Sequence, residues 1–155
     1  MATVVTSNPH GPIDEARLLA FERRIGTTLP DDFREFLVRH NGAILSPSLF
    51  ALFGKTVPYA CLNDKTFGLH DEDPQLDQVY ENCLDYLPAS LVAFAEDSGG
   101  DLFCLGTQGK QRGKVYFWNH HHPYCGDDEP SFENVELTFL SESFTEFISQ
   151  LAADD

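Results

Sequence analysis

The chain lacks the segments that carry a protein into or across a membrane. None of its apolar runs approaches the ~18–20 residues that a membrane-spanning helix needs. Residues 1–9 contain neither the basic segment nor the apolar core of a secretory signal. With 155 residues, 42% of them apolar, the chain has enough material for one domain with a packed core. These observations predict a soluble, cytoplasmic protein.

Paired cysteines are lacking as well. The four cysteines are more than twenty residues apart, and no two of them form a C-x-x-C pair: Cys61, Cys83, Cys104 and Cys125. This spacing excludes the usual zinc-ribbon and redox motifs. We therefore expect free thiols that behave as small apolar side chains.

Basic residues are scarce in the second part of the chain. Residues 1–63 hold six acids and six bases, which cancel. Residues 64–155 hold nineteen acids and four bases, so 4 − 19 = −15, the net charge of the whole chain. Such an excess repels nucleic acid and anionic membranes and favours a basic partner. The alternative is that the acids only keep the protein soluble.

Apolar periodicity and helix start and stop signals predict a mixed order of helices and strands. Helices are predicted at 12–25 and 30–40, from Asp73-Pro74 to just before Pro88, and from Ser143 onward. Strands are predicted at 48–54, 56–62, 90–95, 101–106, 114–119 and 135–140. Residues 1–11 are expected to be a flexible lead-in, and 12–152 a single α+β domain with helices at both ends.

Four segments, in this order, resemble the SUKH superfamily: "IGTTLPDDFREFLVRHNG" (25–42), "FAEDSGGDLFCLG" (94–106), "GKVYFWNH" (113–120) and "SESFTEFISQL" (141–151). The resemblance runs from about Ile13 to Leu151. It implies one α+β domain with a strongly twisted, mainly antiparallel sheet and flanking N- and C-terminal helices. Residues 63–87 carry no motif of the family that we can place, so the third helix is a candidate for a lineage-specific partner surface.

The resemblance also implies a class of function. Many bacterial members are immunity proteins that bind and neutralise toxins, often nucleases or nucleic-acid deaminases. Fungal relatives are regulatory proteins of cell-wall synthesis. The family has no common catalytic centre, so the resemblance implies a non-enzymatic binding protein without a cofactor.

The segment "WNHHHPYCGDDEP" (118–130) admits two interpretations. His120, His122 and Cys125 could supply three ligands to Zn²⁺, with Asp127 or Asp128 close in sequence. However, the cysteine pairs or H-E-x-x-H helix of strong zinc motifs are absent, and the proline and glycine in the segment are typical of a loop. We favour an exposed loop and keep a metal-dependent enzyme as the less favoured alternative.

No other catalytic pattern is complete. His70-Asp71-Glu72 matches the H-x-E part of the zinc deaminases, but the P-C-x-x-C part is missing. Residues 106–115 lack the spacing of a phosphate-binding loop. Asp97 and Asp101 could pair as general acid and base, but aspartates beside glycines more often cap turns, and we favour that role.

The remaining signal is the position of the acidic residues, which fall in predicted loops and at the ends of elements. If these loops share one edge of the sheet, they form an anionic rim that fits the cationic groove of a nuclease. Two aromatic residues are candidate anchors in this rim, although burial in the sheet core is an equal alternative for Trp118. The predicted partner-binding residues are Asp71, Glu72, Asp73, Glu96, Asp97, Asp101, Trp118, Tyr124, Asp127, Asp128 and Glu129.

These observations favour an immunity-type protein that blocks a basic toxin domain by direct binding. A regulatory scaffold with a different protein partner is the main alternative.

Overall fold

The computed structural model describes residues 3–46, 49–51, 59–72, 75–97, 100–120 and 126–150. Within these residues the chain forms four α-helices: α1 Glu15–Ile25, α2 Asp31–Arg39, α3 Leu76–Cys83 and α4 Phe144–Ser149. The strands are β1 Thr3–Thr6, β2 Ile44–Ser46, β3 Leu49–Ala51, β4 Tyr59–Thr66, β5 Leu91–Asp97, β6 Leu102–Gly106, β7 Val115–Trp118 and β8 Thr138–Ser141. No helix in the described ranges is long and apolar enough to cross a membrane.

The strands form one sheet in the order β1-β2-β4-β5-β6-β7-β8, with β3 beside β4. Every pair of neighbouring strands is antiparallel. The central hairpin pairs β5 with β6 from Leu91 opposite Gly106 to Glu96 opposite Leu102. This arrangement of helices around an antiparallel sheet confirms the predicted α+β class.

The beginning of the chain differs from the prediction. Residues 3–6, which the sequence analysis assigns to a flexible lead-in, form an edge strand in which Val4 lies opposite Leu45 of β2. The prediction did not include β2 either. Both strands are only three or four residues long, and their residues do not show enough apolar alternation to indicate a strand.

The first helix begins later than predicted because Asp14 caps it. The Asp14 side chain accepts a hydrogen bond from the backbone N–H of Ala16 at 3.0 Å, which satisfies one of the free donors at the helix start. Gly26 ends the helix in the left-handed conformation, with φ +82°. The predicted end of α1 is therefore correct, and its start lies three residues beyond Pro12.

Phenylalanines fill the core on one face of the sheet. Phe103 and Phe117 lie opposite each other in β6 and β7, so their side chains share this face. Phe147 of α4 packs against Phe103 at 5.5 Å and against Phe94 of β5 at 5.6 Å, measured between ring centroids. Phe33 of α2 lies 5.7 Å from Phe94. The two helices α2 and α4 therefore cover this face of the sheet.

The opposite face carries Leu102 and Cys104 of β6, which alternate with Phe103 and lie opposite Trp118 and Tyr116. This face is covered by the end of α3, the turn after it and the loop between β7 and β8: Cys83, Tyr86 and Phe132. Because the sheet is covered on both faces, β6 is buried along its whole length.

Asn41 joins three segments at the end of α2. Its buried side chain accepts a hydrogen bond from the N–H of Leu69 at 2.8 Å and donates to the carbonyl oxygen of Leu69 at 2.9 Å. It also donates to the carbonyl oxygen of Gly11 at 3.3 Å, while its own backbone N–H donates to Asn8 at 2.7 Å. The side-chain amide thus pairs with Leu69 as a neighbouring strand would.

A buried ion pair fixes α1 to α2. Glu22 of α1 is 5% exposed and accepts hydrogen bonds from Arg34 of α2 and from the backbone N–H of Leu29 at 2.7 Å. The hydrogen bond with Glu22 raises the pKa of the Arg34 guanidinium. The connection between the two helices is therefore held by a paired charge that also satisfies a buried backbone donor.

Replacing Asn41 with alanine is expected to lower the free energy of unfolding by about 2–4 kcal/mol, because buried backbone groups of Leu69 lose their partners. Urea denaturation followed by fluorescence measures this change. The control is Asn82→Ala, since Asn82 is exposed and accepts one hydrogen bond from Gln78. A loss for Asn41→Ala as small as that of the control would contradict the proposed role of Asn41.

The buried thiol of Cys83 contributes to the loss of stability at alkaline pH. Burial raises the pKa of its thiol from the usual 9.0 to about 11, so the folded chain holds this proton more tightly than the unfolded chain. The contribution of the neutral thiol is complete below pH 9 and is lost as the pH rises toward 11. We expect Cys83→Ala to lose less stability than the parent chain between these two pH values in urea denaturation. Equal losses would argue against this assignment.

Candidate partner-binding surface

The tip of the central hairpin is shaped by two aspartates. Asp97 accepts a hydrogen bond through Oδ1 from the backbone N–H of Asp101 at 2.8 Å. The backbone N–H of Asp97 donates to the carbonyl oxygen of Asp101, also at 2.8 Å, and Gly100 adopts φ +91°. The Asp97 carboxylate therefore has the turn-capping role that the sequence analysis favours over acid–base chemistry.

Asp101 connects the hairpin to the end of β7. Its Oδ1 accepts from the backbone N–H of His120 at 2.9 Å and lies 2.5 Å from Nδ1 of the same residue. The Asp101 side chain is only 13% exposed as a result. A side chain at Gly100 would meet the His120 ring at 3.5 Å, so the ring lies directly against the turn. Asp101 is thus a positioning residue for the segment that begins at His120.

The strand register decides which acids lie at this end of the sheet. Leu102 at the start of β6 lies opposite Trp118 at the end of β7, and Thr138 at the start of β8 lies opposite Phe117. The β5–β6 turn therefore lies at the same end of the sheet as the first and last residues of the connection 119–137. We use the name acidic end for six of the carboxylates that these two segments carry: Glu96, Asp97, Asp101, Asp127, Asp128 and Glu129.

The acids at 127–129 are exposed on a loop with internal hydrogen bonds. Asn134 donates to the carbonyl oxygen of Glu129 at 3.1 Å and accepts from the N–H of Ser131 at 2.7 Å. This side-chain amide closes the loop into a turn. The acidic residues thus precede a defined turn.

Asp71 and Glu72 lie elsewhere. Strand β4 runs antiparallel to β5, with Leu62 opposite Asp97 and Thr66 opposite Ala95, so the chain leaves β4 away from the hairpin tip. Asp71 then pairs with Arg17 of α1 at 3.2 Å, although its own side chain is exposed. The structure does not join these two acids to the acidic end, and Asp73 lies outside the described residues.

Arg17 belongs to an ion-pair network between α1 and α3. Its guanidinium donates to both carboxylate oxygens of Asp77 at 3.0 Å and to the side-chain oxygen of Gln75 at 2.8 Å. The hydrogen bond with Asp77 raises the pKa of Arg17. These contacts give Asp77 and Arg17 a role in holding the two helices together.

Of the two aromatic residues predicted as anchors, Trp118 is buried and Tyr124 lies outside the described residues. Trp118 is 6% exposed, and the ring of Tyr86 stacks on it with a centroid separation of 6.2 Å and an angle of 24°. Tyr86 itself is 42% exposed. Tyr86 was not among the predicted anchors, because an aromatic residue just after a helix is as compatible with burial as with exposure.

The histidine segment can be described only at its start. His120 pairs with Asp101, as shown above, whereas His122 and Cys125 lie outside the described residues. Among the described residues, no three His, Cys, Asp or Glu side chains are grouped in a way that could hold a metal ion. The zinc-site hypothesis therefore gains no support from His120 in this structure.

Three of the four basic residues of the second half of the chain lie at the opposite end of the sheet, in or next to the turn between β6 and β7: Lys110, Arg112 and Lys114. The fourth, Lys65, belongs to β4. Arg112 in this turn donates to the carbonyl oxygen of Thr28 at 2.8 Å and to that of Thr107 at 2.7 Å. Lys114 lies 4.0 Å from Glu142. The turn predicted from "QGKQRG" is therefore docked on the connection between α1 and α2, and its charges are far along the strands from the acidic end.

The chain has recognisable relatives. A family model described as the SMI1 / KNR4 family (SUKH-1) matches residues 12–150. The chain is also 24% identical over 150 residues to an SPbeta prophage-derived uncharacterized protein, YokK, of Bacillus subtilis. This alignment covers 87% of the chain and 72% of the relative. The similarity therefore extends over nearly the whole α+β domain.

Replacing Asp101 with alanine is expected to lower the free energy of unfolding by about 1–3 kcal/mol, because the backbone N–H and ring nitrogen of His120 lose their acceptor. Asp101→Asn keeps an oxygen acceptor and should lose less. Asp127→Ala, at an exposed acid, should change stability by no more than about 0.5 kcal/mol. Urea denaturation of the three variants tests the assignment, which fails if Asp101→Ala is no less stable than Asp127→Ala.

Proposed function

This chain belongs to the SMI1/KNR4 family (SUKH-1), and from that premise we propose that it is an immunity-type protein, which neutralises a basic toxin domain by direct binding in the cytoplasm. In this proposal the protein acts stoichiometrically, without a catalytic step or a cofactor. Immunity proteins are common in the SUKH family. The partner and the surface are inferred from the charges of this chain.

The observation that carries the proposal is the one-sided charge of the acidic end. The stretches that form it, 91–105 and 115–141, hold eight acidic residues and no lysine or arginine. The bases between these two stretches, Lys110, Arg112 and Lys114, lie in or next to the turn at the other end of the sheet, and Lys65 lies in β4. A partner that approaches the acidic end therefore meets two stretches of chain whose formal charge is entirely negative.

Negative charge at a fixed end of a rigid sheet suits a cationic protein groove. A nuclease binds its substrate through lysines and arginines that contact phosphates, and carboxylates can pair with the same side chains. Complementary potentials also speed encounter, by roughly 10–10³-fold at low ionic strength. The hydrogen bonds of Asp97 and Asp101 fix these two residues and His120 before binding, which lowers the cost of ordering them in a complex.

The first test is co-expression of the chain with a candidate toxin domain from a neighbouring gene, scored by growth of the host. Rescue of growth, together with a purified complex of the two proteins, is the expected result. If the chain instead forms a stable complex with a partner that does not impair growth, the chain is a regulatory protein, as the fungal relatives are. Absence of both rescue and complex would contradict the proposal for that toxin.

Charge reversal at Asp127, Asp128 and Glu129 to lysine is expected to abolish protection and to weaken the complex by at least tenfold, since three favourable charges become repulsive. The affinity of the parent chain should fall steeply with added salt, because exposed charges are screened. Calorimetry at several salt concentrations measures both effects.

The matched control reverses three exposed acids on the helices, Glu15, Asp31 and Glu35. Each reversal adds two positive charges, so both triple variants move from −15 to −15 + 6 = −9. Only the position of the charge differs between them. If the control loses protection as fully as the variant at 127–129, net charge and not the acidic end governs binding.

A further inference from the structure

Tyr86 occupies an unusual position for a large aromatic residue. It follows α3 in a turn where its backbone N–H donates to the carbonyl oxygen of Cys83 at 3.0 Å. One face of its ring stacks on the buried ring of Trp118, and 42% of the residue remains exposed. The separation of 6.2 Å and the angle of 24° fall in the range of offset stacking. The Tyr86 ring is therefore packed against Trp118 on one face and partly exposed to solvent.

The aromatic pair lies beside the acidic end. Trp118 is opposite Leu102, the residue that follows Asp101, and it is two positions before His120, which Asp101 binds. The Trp118 ring is thus connected through two neighbouring strands to the turn that carries the acids. Tyr86 extends this surface outward from Trp118.

The segment that carries Tyr86 and the strands next to Trp118 contain acids but no bases. Residues 83–90 contain one acid, the exposed Asp85, and no base. Together with the stretches 91–105 and 115–141, they make nine acidic residues without a lysine or arginine. The negative charge of these segments therefore disfavours anionic ligands and favours a cation.

An open aromatic face among carboxylates suits one cation better than others. The guanidinium of arginine is planar, stacks on tyrosine and donates to carboxylates in a forked geometry, whereas lysine offers a strongly hydrated point charge. We propose that Tyr86 is the aromatic anchor of the partner-binding surface and that it stacks with an arginine side chain of the basic partner. This inference rests on the proposed function and names the chemistry of its partner.

The indole of Trp118 makes the contact measurable. It is the chain's single tryptophan, and its ring is the support of Tyr86. A ligand that stacks on Tyr86 changes the surroundings of this stack and hence the emission of Trp118. Synthetic hexa-arginine and hexa-lysine peptides, which contain no tryptophan, can therefore report binding at this position.

The experiment compares the two peptides on the full chain at low ionic strength, by calorimetry and by Trp118 emission. Hexa-arginine should bind more tightly than hexa-lysine and shift the emission. Tyr86→Phe keeps a ring and should preserve this preference, whereas Tyr86→Leu should reduce it by about three- to fivefold, as expected for an exposed cation–π contact. Urea denaturation verifies that both variants are folded.

The control is Phe139→Leu, which removes another exposed aromatic ring, one that packs on Tyr116. It should leave the preference unchanged. An undiminished preference in Tyr86→Leu, an equal reduction in Phe139→Leu or an unchanged Trp118 emission would overturn the role of Tyr86. Failure of the proposed function is seen separately, as lack of rescue by the parent chain, and does not depend on either peptide.

Discussion

The pairing of the buried Asn41 side chain with the backbone of Leu69 is the contact on which the arrangement of the first half of the domain depends. Its amide joins the end of α2 to the segment after β4 and, through Gly11, to the segment before α1. The approach is so close that a side chain at Gly68 would lie 2.6 Å from Asn41 Oδ1. An asparagine fits because it offers a donor and an acceptor at the spacing of a peptide group.

This connection fixes the end of α2 beside the segment after β4, and α2 packs on the sheet through Phe33 and Phe94. The sheet in turn separates the charges. The bases of the β6–β7 turn are held against the α1–α2 connection through Arg112, while the hairpin acids lie at the other end of the same strands. Strand β6 is buried along its whole length and has no charged residue between the two ends. Because antiparallel strands alternate in direction, the turns before and after β6 lie at opposite ends of the sheet. The acids of the first turn and the bases of the second are separated for this reason.

The prediction from sequence was good where a local rule decides the structure, and poor where distant residues decide it. The end of α1 at Gly26 and the β5–β6 hairpin follow from a glycine stop signal and two apolar strands around a glycine turn. The strand Thr3–Thr6 was not predicted, because it is formed by pairing with Ile44–Ser46 and not by its own apolar pattern. The single acidic rim was an assumption about which loops meet, and Asp71 pairs with Arg17 instead.

By itself, the sequence determined the helices with clear start and stop signals, the central hairpin, the α+β class and the acidic excess of the second half, because these depend on local propensity, periodicity and composition. Only the tertiary structure decided that Asn41 is a buried connector, that Asp101 binds His120, and that Trp118 is covered while Tyr86 is open. Each of these depends on contacts between residues that are far apart in the chain. The local pattern of apolar and polar residues does not determine such contacts.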